Sequence, residues 1–272
     1  MGLRVNTNIF SLSAQTNLSE VSSRLGGNFS RLSSGLRIAA AADDAAGLGI
    51  SERMRAQVRS LHQAGRNAND GISLVQTAEG TLNELNGNLV RMRELAIQAS
   101  NGTLNTGDRA VIDVEFQALI AEIDRVANQA TFNGINLFDG STTTLTFQVG
   151  TESGESIDVT LEDLSSATLG LAIDVTNATN AQAALDVIDS AVDTVSNLRG
   201  DLGAAQNRMT STVRSIANAA ENLSAAESRI RDVDVAAETA DLTRNSILQQ
   251  AAVSVLAQAN VQPQIALSLL QG

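Results

Sequence analysis

The chain has 272 residues, 43% of them hydrophobic, yet it holds no Trp, Tyr or Cys and only six Phe, so the aromatics that fill a round interior of this size are missing. Its eighteen basic residues, all arginine, face thirty acids for a net charge of −12, which argues against a nucleic-acid-binding surface. A single histidine and no cysteine speak against His- or Cys-built metal sites and Ser-His triads.

The front segment reads as a helix through Leu18, Val21, Leu25, Phe29, Leu32 and Leu36. Small or apolar residues then recur at Val58, Leu61, Gly65, Ala68, Ile72 and Val75, and on through Ala78, Leu82, Leu85, Leu89, Met92, Ala96 and Ala99. Steps of three and four are the seam of a coiled-coil-like helix. Asp70-Gly71 and Asn86-Gly87 would break it by local propensity, but the register survives both pairs, which predicts one continuous helix.

After a turn over 101–108, Ile112, Phe116, Leu119, Ile123 and Val126 mark a second helix. The period then changes from 3.6 to 2: Leu145, Phe147 and Val149 alternate with polar residues, and after Gly150 to Gly154 so do Ile157, Val159 and Leu161. That predicts a β-hairpin with one apolar face, too small to stand alone, lying against an end of the helices. A long helical stripe resumes at Leu185 and runs through Ile188, Val192, Val195, Leu202, Ala205, Met209, Ile216, Leu223, Ile230 and Val233. A last helix covers 245–259. The fold expected is mainly α, an elongated antiparallel helical bundle or coiled coil with one small β-hairpin region. The first and last helices are expected to pair at one end, with the hairpin at the other.

Charge is distributed unevenly: net +3 over residues 1–60, −8 over 141–200, and none at all after Arg244. Between Val5 and Ser23 only Glu20 is charged. Uncharged, apolar and amide-rich ends find no adequate cover in a lone molecule, and disordered tails are ordinarily charged or Pro-rich. Candidate self-association residues are therefore Leu18, Val21, Leu25 and Leu32 at the front and Ile247, Leu248, Val255, Leu256, Leu269 and Leu270 at the back.

Other chemistry is thin. His62 reads as a surface residue. Asp43-Asp44 point about 100° apart on a helix, so a cap plus a solvated or paired acid suits them better than a cation site. Gly47-Leu48-Gly49 lacks the lysine and spacing of a phosphate loop. Arg53, Arg55 and Arg59 beside Glu52 read as a salt-bridged face. No cofactor is expected. The first 25 residues show no secretory signal, and no run is apolar enough to span a bilayer.

Several blocks resemble bacterial flagellins: Val5-Asn6-Thr7-Asn8, Arg31-Leu32-Ser33-Ser34-Gly35-Leu36-Arg37, Asp43-Asp44-Ala45-Ala46-Gly47-Leu48 and Arg66-Asn67-Ala68-Asn69-Asp70-Gly71-Ile72-Ser73-Leu74. Gln206-Asn207-Arg208, Glu221 to Ala226, Ser228-Arg229-Ile230-Arg231-Asp232 and Leu256 to Asn260 continue the likeness in order. The resemblance implies a structural subunit, not an enzyme, that polymerises into the flagellar filament for swimming motility. It implies an inner-tube domain from residues 1–42 and 232–272, and an outer-tube helical rod over 43–231 with the hairpin region at 140–178. With so little chain between Leu161 and Leu185, it is similar to a minimal flagellin without outer variable domains.

The resemblance also implies extracellular localisation through the flagellum's own type III export, without a cleaved signal. The partners it implies are further copies of the chain, an export chaperone at the C-terminal segment, the filament cap and the hook-junction proteins; no nucleic acid or membrane partner is implied. Finally, Arg91-Met92-Arg93-Glu94-Leu95 matches a motif that many flagellins present to the flagellin-sensing Toll-like receptor. Arg91, Arg93, Glu94, Leu95 and Glu115 are the recognition residues so implied, with Arg91 and Glu115 polar contacts and Leu95 an apolar one. Leu119 stands at a position that is polar in well-recognised members.

Overall fold

The computed structural model describes the backbone of residues 7–270 and the side chains of residues 7–263. In chain order the elements are α1 (Ile9–Ser34), α2 (Ala45–Ala99), α3 (Thr106–Gln129), β1 (Thr131–Phe132), β2 (Ile135–Asn136), β3 (Thr144–Gln148), β4 (Ser156–Thr160), α4 (Ala178–Arg231) and α5 (Val235–Leu270). The fold is mainly helical, as the periodicity predicts. α2 is unbroken through Asp70-Gly71 and Asn86-Gly87.

Side chains placed where the sequence offers them set the helix ends. Asn8 Oδ1 accepts from the Ser11 N–H at 3.1 Å, and Gly35 closes α1 in the left-handed conformation at φ 72°. Asp44 Oδ1 accepts from the amides of Ala46 and Gly47 at the start of α2, while Asp43 Oδ2 accepts from those of Ala39 and Ala40. The acid pair is thus a cap and a loop brace. Asn105 and Asp108 form a reciprocal capping box on α3.

The chain folds into two compact units. One comprises Met1–Ala56 with Asn222–Gly272, the other Gln57–Glu221. In the first, α1 and α5 run antiparallel: Asn8 meets Ala259, Ser22 meets Gln249, Arg31 meets Glu238, and Leu36 bridges Asp232. α5 is longer than the uncharged stretch suggested and continues through Pro263, whose missing N–H removes one rung of the helix ladder.

In the second unit α2 and α4 are also antiparallel. A Cβ on Gly65 would touch Ile216 and one on Gly71 would meet Met209, while Glu79 reaches Arg199 and Arg93 reaches Asp189. Their seams bury Ala68, Val75, Leu82, Leu85, Leu89 and Met92 against Ile188, Val195, Leu202 and Met209. α3 folds back beside α2, adding Phe116 and Ile123 to the same core. At 1.5 Å per residue its 24 residues return the chain by about 36 Å.

That return explains where the hairpin goes. β3 and β4 pair antiparallel with Leu145 opposite Val159 and Phe147 opposite Ile157, in the alternation expected. Instead of lying against an end of the helices, the hairpin lies along α2. Asn67 donates to the Gln148 carbonyl at 2.9 Å, and Phe147 sits beside Gly71. A second, two-residue ladder, β1 with β2, was not legible in the apolar pattern; Asn133 (φ 49°) and Gly134 (φ 79°) turn it.

Residues 161–177 carry no strand or helix, yet Leu161, Leu164, Leu169, Leu171 and Val175 enter the core. Polar side chains of α3 hold this segment down: Asp124 accepts from the Ser166 amide and hydroxyl, Gln117 donates to the Ile173 carbonyl, and Asp113 accepts from the Val175 amide. No helix among the described residues is long and apolar enough to cross a membrane.

Candidate functional site

Two surfaces concentrate what the sequence singled out: the α1–α5 pair and the face shared by α2 and α3.

The inner seam of α1 is Ser11, Ala14, Leu18, Val21, Leu25, Asn28 and Leu32, spaced alternately by three and four residues; every one is buried or half-buried. Its counterpart on α5 is Glu238, Leu242, Asn245, Gln249, Ala252, Leu256 and Ala259, with the same spacing and the same partial burial. Leu18, Val21, Leu25, Leu32 and Leu256 therefore lie in the seam between the two helices. Ile247, Leu248 and Val255 point away from it, Ile247 with 61% of its surface exposed. Leu269 and Leu270 fall outside the described side chains.

The same unit exposes further large apolar groups: Ile9, Phe10 (58%), Leu12 and Phe29 on α1, and Val235, Val253 and Val261 on α5. Phe29 was expected on the inner stripe. A step of three from Leu25 leads to Asn28 and a step of four to Phe29; the structure takes Asn28 inward, and Phe29 joins the outer surface.

Asn28 is 3% exposed, and both its polar atoms have a partner. Its Nδ2 donates to Glu238 Oε1 at 2.7 Å, and its Oδ1 accepts from Asn245 Nδ2 at 2.9 Å. Arg31 Nε donates to the same Glu238 oxygen at 2.9 Å. This four-residue polar layer was not flagged by apolar periodicity, which skips polar residues; its only sequence signal is an asparagine at a heptad position.

On the second surface, Arg91 extends from α2 between two carboxylates. It donates to Glu94 one turn on and, through Nε and Nη2, to Glu115 of α3 at 2.9 and 2.8 Å. These carboxylates, Glu94 first, hold the Arg91 guanidinium above its ordinary pKa. Arg93 turns to the other side of α2 and binds Asp189 of α4 with both Nε and Nη2, which pulls the Asp189 carboxyl below its ordinary range. The structure thus brings Arg91, Glu94 and Glu115 together and places Arg93 apart from them. Leu95 is 2% exposed and packs in the core, so it offers no surface contact; Val90 and Ile97 on α2 and Val111 and Val114 on α3 are exposed apolar groups nearer in sequence to this cluster. Leu119 is half-buried against the same core.

Among the described residues no cluster of His, Cys, Asp or Glu is arranged to hold a metal ion. The acids with lowered pKa have local explanations. Asp163 is lowered chiefly by the Thr168 hydroxyl, Asp174 by the Thr176 hydroxyl, and Glu52 by Arg231.

The chain matches the family model for the bacterial flagellin N-terminal helical region over residues 5–143 and that for the C-terminal helical region over residues 185–270. It is 54% identical to a flagellin of Halalkalibacterium halodurans across 89% of this chain and 90% of that one. To a flagellin of Bacillus subtilis it is 44% identical across 99% of this chain and the whole of the other. The crystal structure of Bacillus cereus flagellin superposes with a TM-score of 0.51 at 29% identity, covering 56% of this chain and 88% of that one.

Proposed function

Since the chain belongs to the bacterial flagellin family and is a structural subunit of a flagellar filament rather than an enzyme, we propose that its polymerisation is driven by burial of the outer faces of α1 and α5 against neighbouring copies. The observation that carries this is the row of exposed, uncharged apolar side chains on those faces, Ile9, Phe10, Leu12 and Phe29 with Ile247, Leu248, Val253 and Val255. Removing apolar surface from water yields about 25 cal/mol per Å², and in this reading neighbouring molecules supply that cover. Leu18, Val21, Leu25, Leu32 and Leu256 hold the two helices together, while Ile247, Leu248 and Val255 make the contacts between subunits. Residues 1–42 with 232–272 are the inner-tube domain in this reading, and 43–231 the outer tube.

The test is Ile247→Asp. The side chain is exposed, so the single subunit should keep its helical circular dichroism, while sedimentable filaments are lost. Pelleting equal to the unsubstituted chain would refute the interface.

The same reading carries export through the flagellar type III apparatus to an extracellular filament, with a chaperone on the uncharged C-terminal segment and the cap and hook-junction proteins as assembly partners. Arg91, Glu94 and Glu115 form one exposed cluster on the α2–α3 face, and this supports recognition of the free monomer by the flagellin-sensing Toll-like receptor. Leu95 contributes by packing beneath that face, and Arg93, bound to Asp189 on the other side of α2, by fixing α2 against α4. Purified monomer should activate a receptor reporter line and lose activity on Arg91→Ala; a silent unsubstituted monomer ends the reading.

A further inference from the structure

We propose that the polar layer of Asn28, Asn245, Glu238 and Arg31 is the register determinant of the α1–α5 coiled coil. Of the antiparallel alignments one heptad apart, only the observed one pairs the polar groups of this layer with one another. The proposal rests on the filament reading above, in which identical α1 and α5 segments of many subunits lie close together.

The leucines of the seam select this alignment only weakly. Leu18, Leu25 and Leu32 are spaced by seven residues, as are Glu238, Asn245 and Ala252, and Leu242, Gln249 and Leu256. Sliding one helix by a heptad therefore superposes leucine on leucine along α1, while on α5 it exchanges Gln249 with Leu242 or Leu256. The polar layer responds differently. A slide in one direction carries Glu238 away from both Asn28 and Arg31. A slide in the other sets Asn245 against the Leu18 and Val21 layer. Each leaves a buried amide or carboxylate without the partners it holds at 2.7–2.9 Å in the aligned pair. An unpaired buried polar group costs far more than the pair contributes, so the layer acts by penalising wrong pairings.

The cost of carrying the layer is visible in the same seam. Asn28 is the only buried polar side chain among the described residues of α1, at a position where leucine would add apolar contact. The backbone bridge at Leu36 and Asp232 ties the two helices at one end, and the polar layer sets how they align along the rest of the pair.

The chain has no cysteine, so introduced pairs report alignment without background. In the full-length chain, Ser11→Cys with Asn260→Cys reads the aligned register, because these side chains are hydrogen-bonded at 2.6 Å. Ser11→Cys with Val253→Cys reads a one-heptad slip. Each pair is made in the native background and with Asn28→Leu and Asn245→Leu, salted out, oxidised, and resolved on non-reducing gels. In the native background the slipped pair should cross-link about tenfold less than the aligned pair or weaker still. With both leucines the two yields should converge, while helical circular dichroism is retained or raised. An unchanged yield ratio in the leucine background overturns the proposal, whether the products are filaments, aggregates or soluble chains. Failure of the native-background chains to pellet would instead count against the filament reading.

Discussion

Replacing Gly71 with alanine and Gly87 with alanine makes the same chemical change in the same helix, and the two should move stability in opposite directions. Both positions gain helix propensity, about 1 kcal/mol for alanine over glycine in a helix interior. At Gly87 a Cβ would meet nothing within 4 Å, so the gain stands alone. At Gly71 it would lie 2.8 Å from the Met209 sulfur, 2.9 Å from its methyl and 3.2 Å from Phe147 Cδ1. Met209 is fully buried, so the sulfur must find another rotamer in a filled core, and overpacking of this kind costs about 1–3 kcal/mol. The net expectation is a loss of about 0–2 kcal/mol for Gly71→Ala and a gain of about 1 kcal/mol for Gly87→Ala. Thermal unfolding followed by circular dichroism resolves this, at about 2–4 °C per kcal/mol for a domain of this size. Met209→Ala should remove the penalty, so Gly71→Ala in that background becomes favourable; this coupling marks the contact itself. If Gly71→Ala stabilises the native background as much as Gly87→Ala does, the close approach of α2 to α4 is not what this glycine serves.

Arg109→Ala should loosen the end of α2, since Arg109 donates to the Ala99 and Asn101 carbonyls at 2.8 and 3.0 Å; a loss of about 1–2 kcal/mol and faster amide exchange over 96–105 are expected. Acid should release the segment from Asp139 to Thr176 early. Asp139, Asp163 and Asp174 all have folded pKa values below the ordinary 3.8 because hydroxyls and amides bond their carboxylates, so the stability they contribute is full above that value. It is lost as the pH falls through the lowered values, and exchange of the Ser141, Ser165 and Thr176 amides should rise there and not at neutral pH.

The helices and the hairpin were legible because each carries a single, sustained period. The seam of α2 kept its steps through two glycines, and β3 and β4 alternate with no ambiguity about the inward face. What was not legible lacks a period or splits one. The segment 161–177 buries Leu164, Leu169 and Leu171 at irregular spacing, and its order comes from Asp113, Gln117 and Asp124 on a helix far away in sequence. The hairpin's position depended on how far α3 carries the chain back, a tertiary distance. On the candidate surfaces, composition identified the uncharged ends but could not separate seam from outer face. Leu25 followed by both Asn28 and Phe29 left two continuations, and hydrophobicity favours the one the structure does not take.

The same contrast bears on when the terminal helices are ordered. The second unit fills its core with fully buried Leu82, Leu85, Leu89, Phe116 and Phe138. On the described α1 and α5 the buried side chains are Ala14, Asn28 and Ala259, two methyl groups and an amide. Ordering a residue costs about 1–2 kcal/mol of backbone entropy, and half-buried leucines in a two-helix pair offset little of that. Exchange of amides in α1 and α5 should therefore be fast in the dilute chain, slow over 68–99 and 181–209, and slow throughout once the chain is pelleted. Strong protection of α1 and α5 at low concentration, unchanged on assembly, would show that two helices alone suffice and that their outer apolar faces have no part in ordering them.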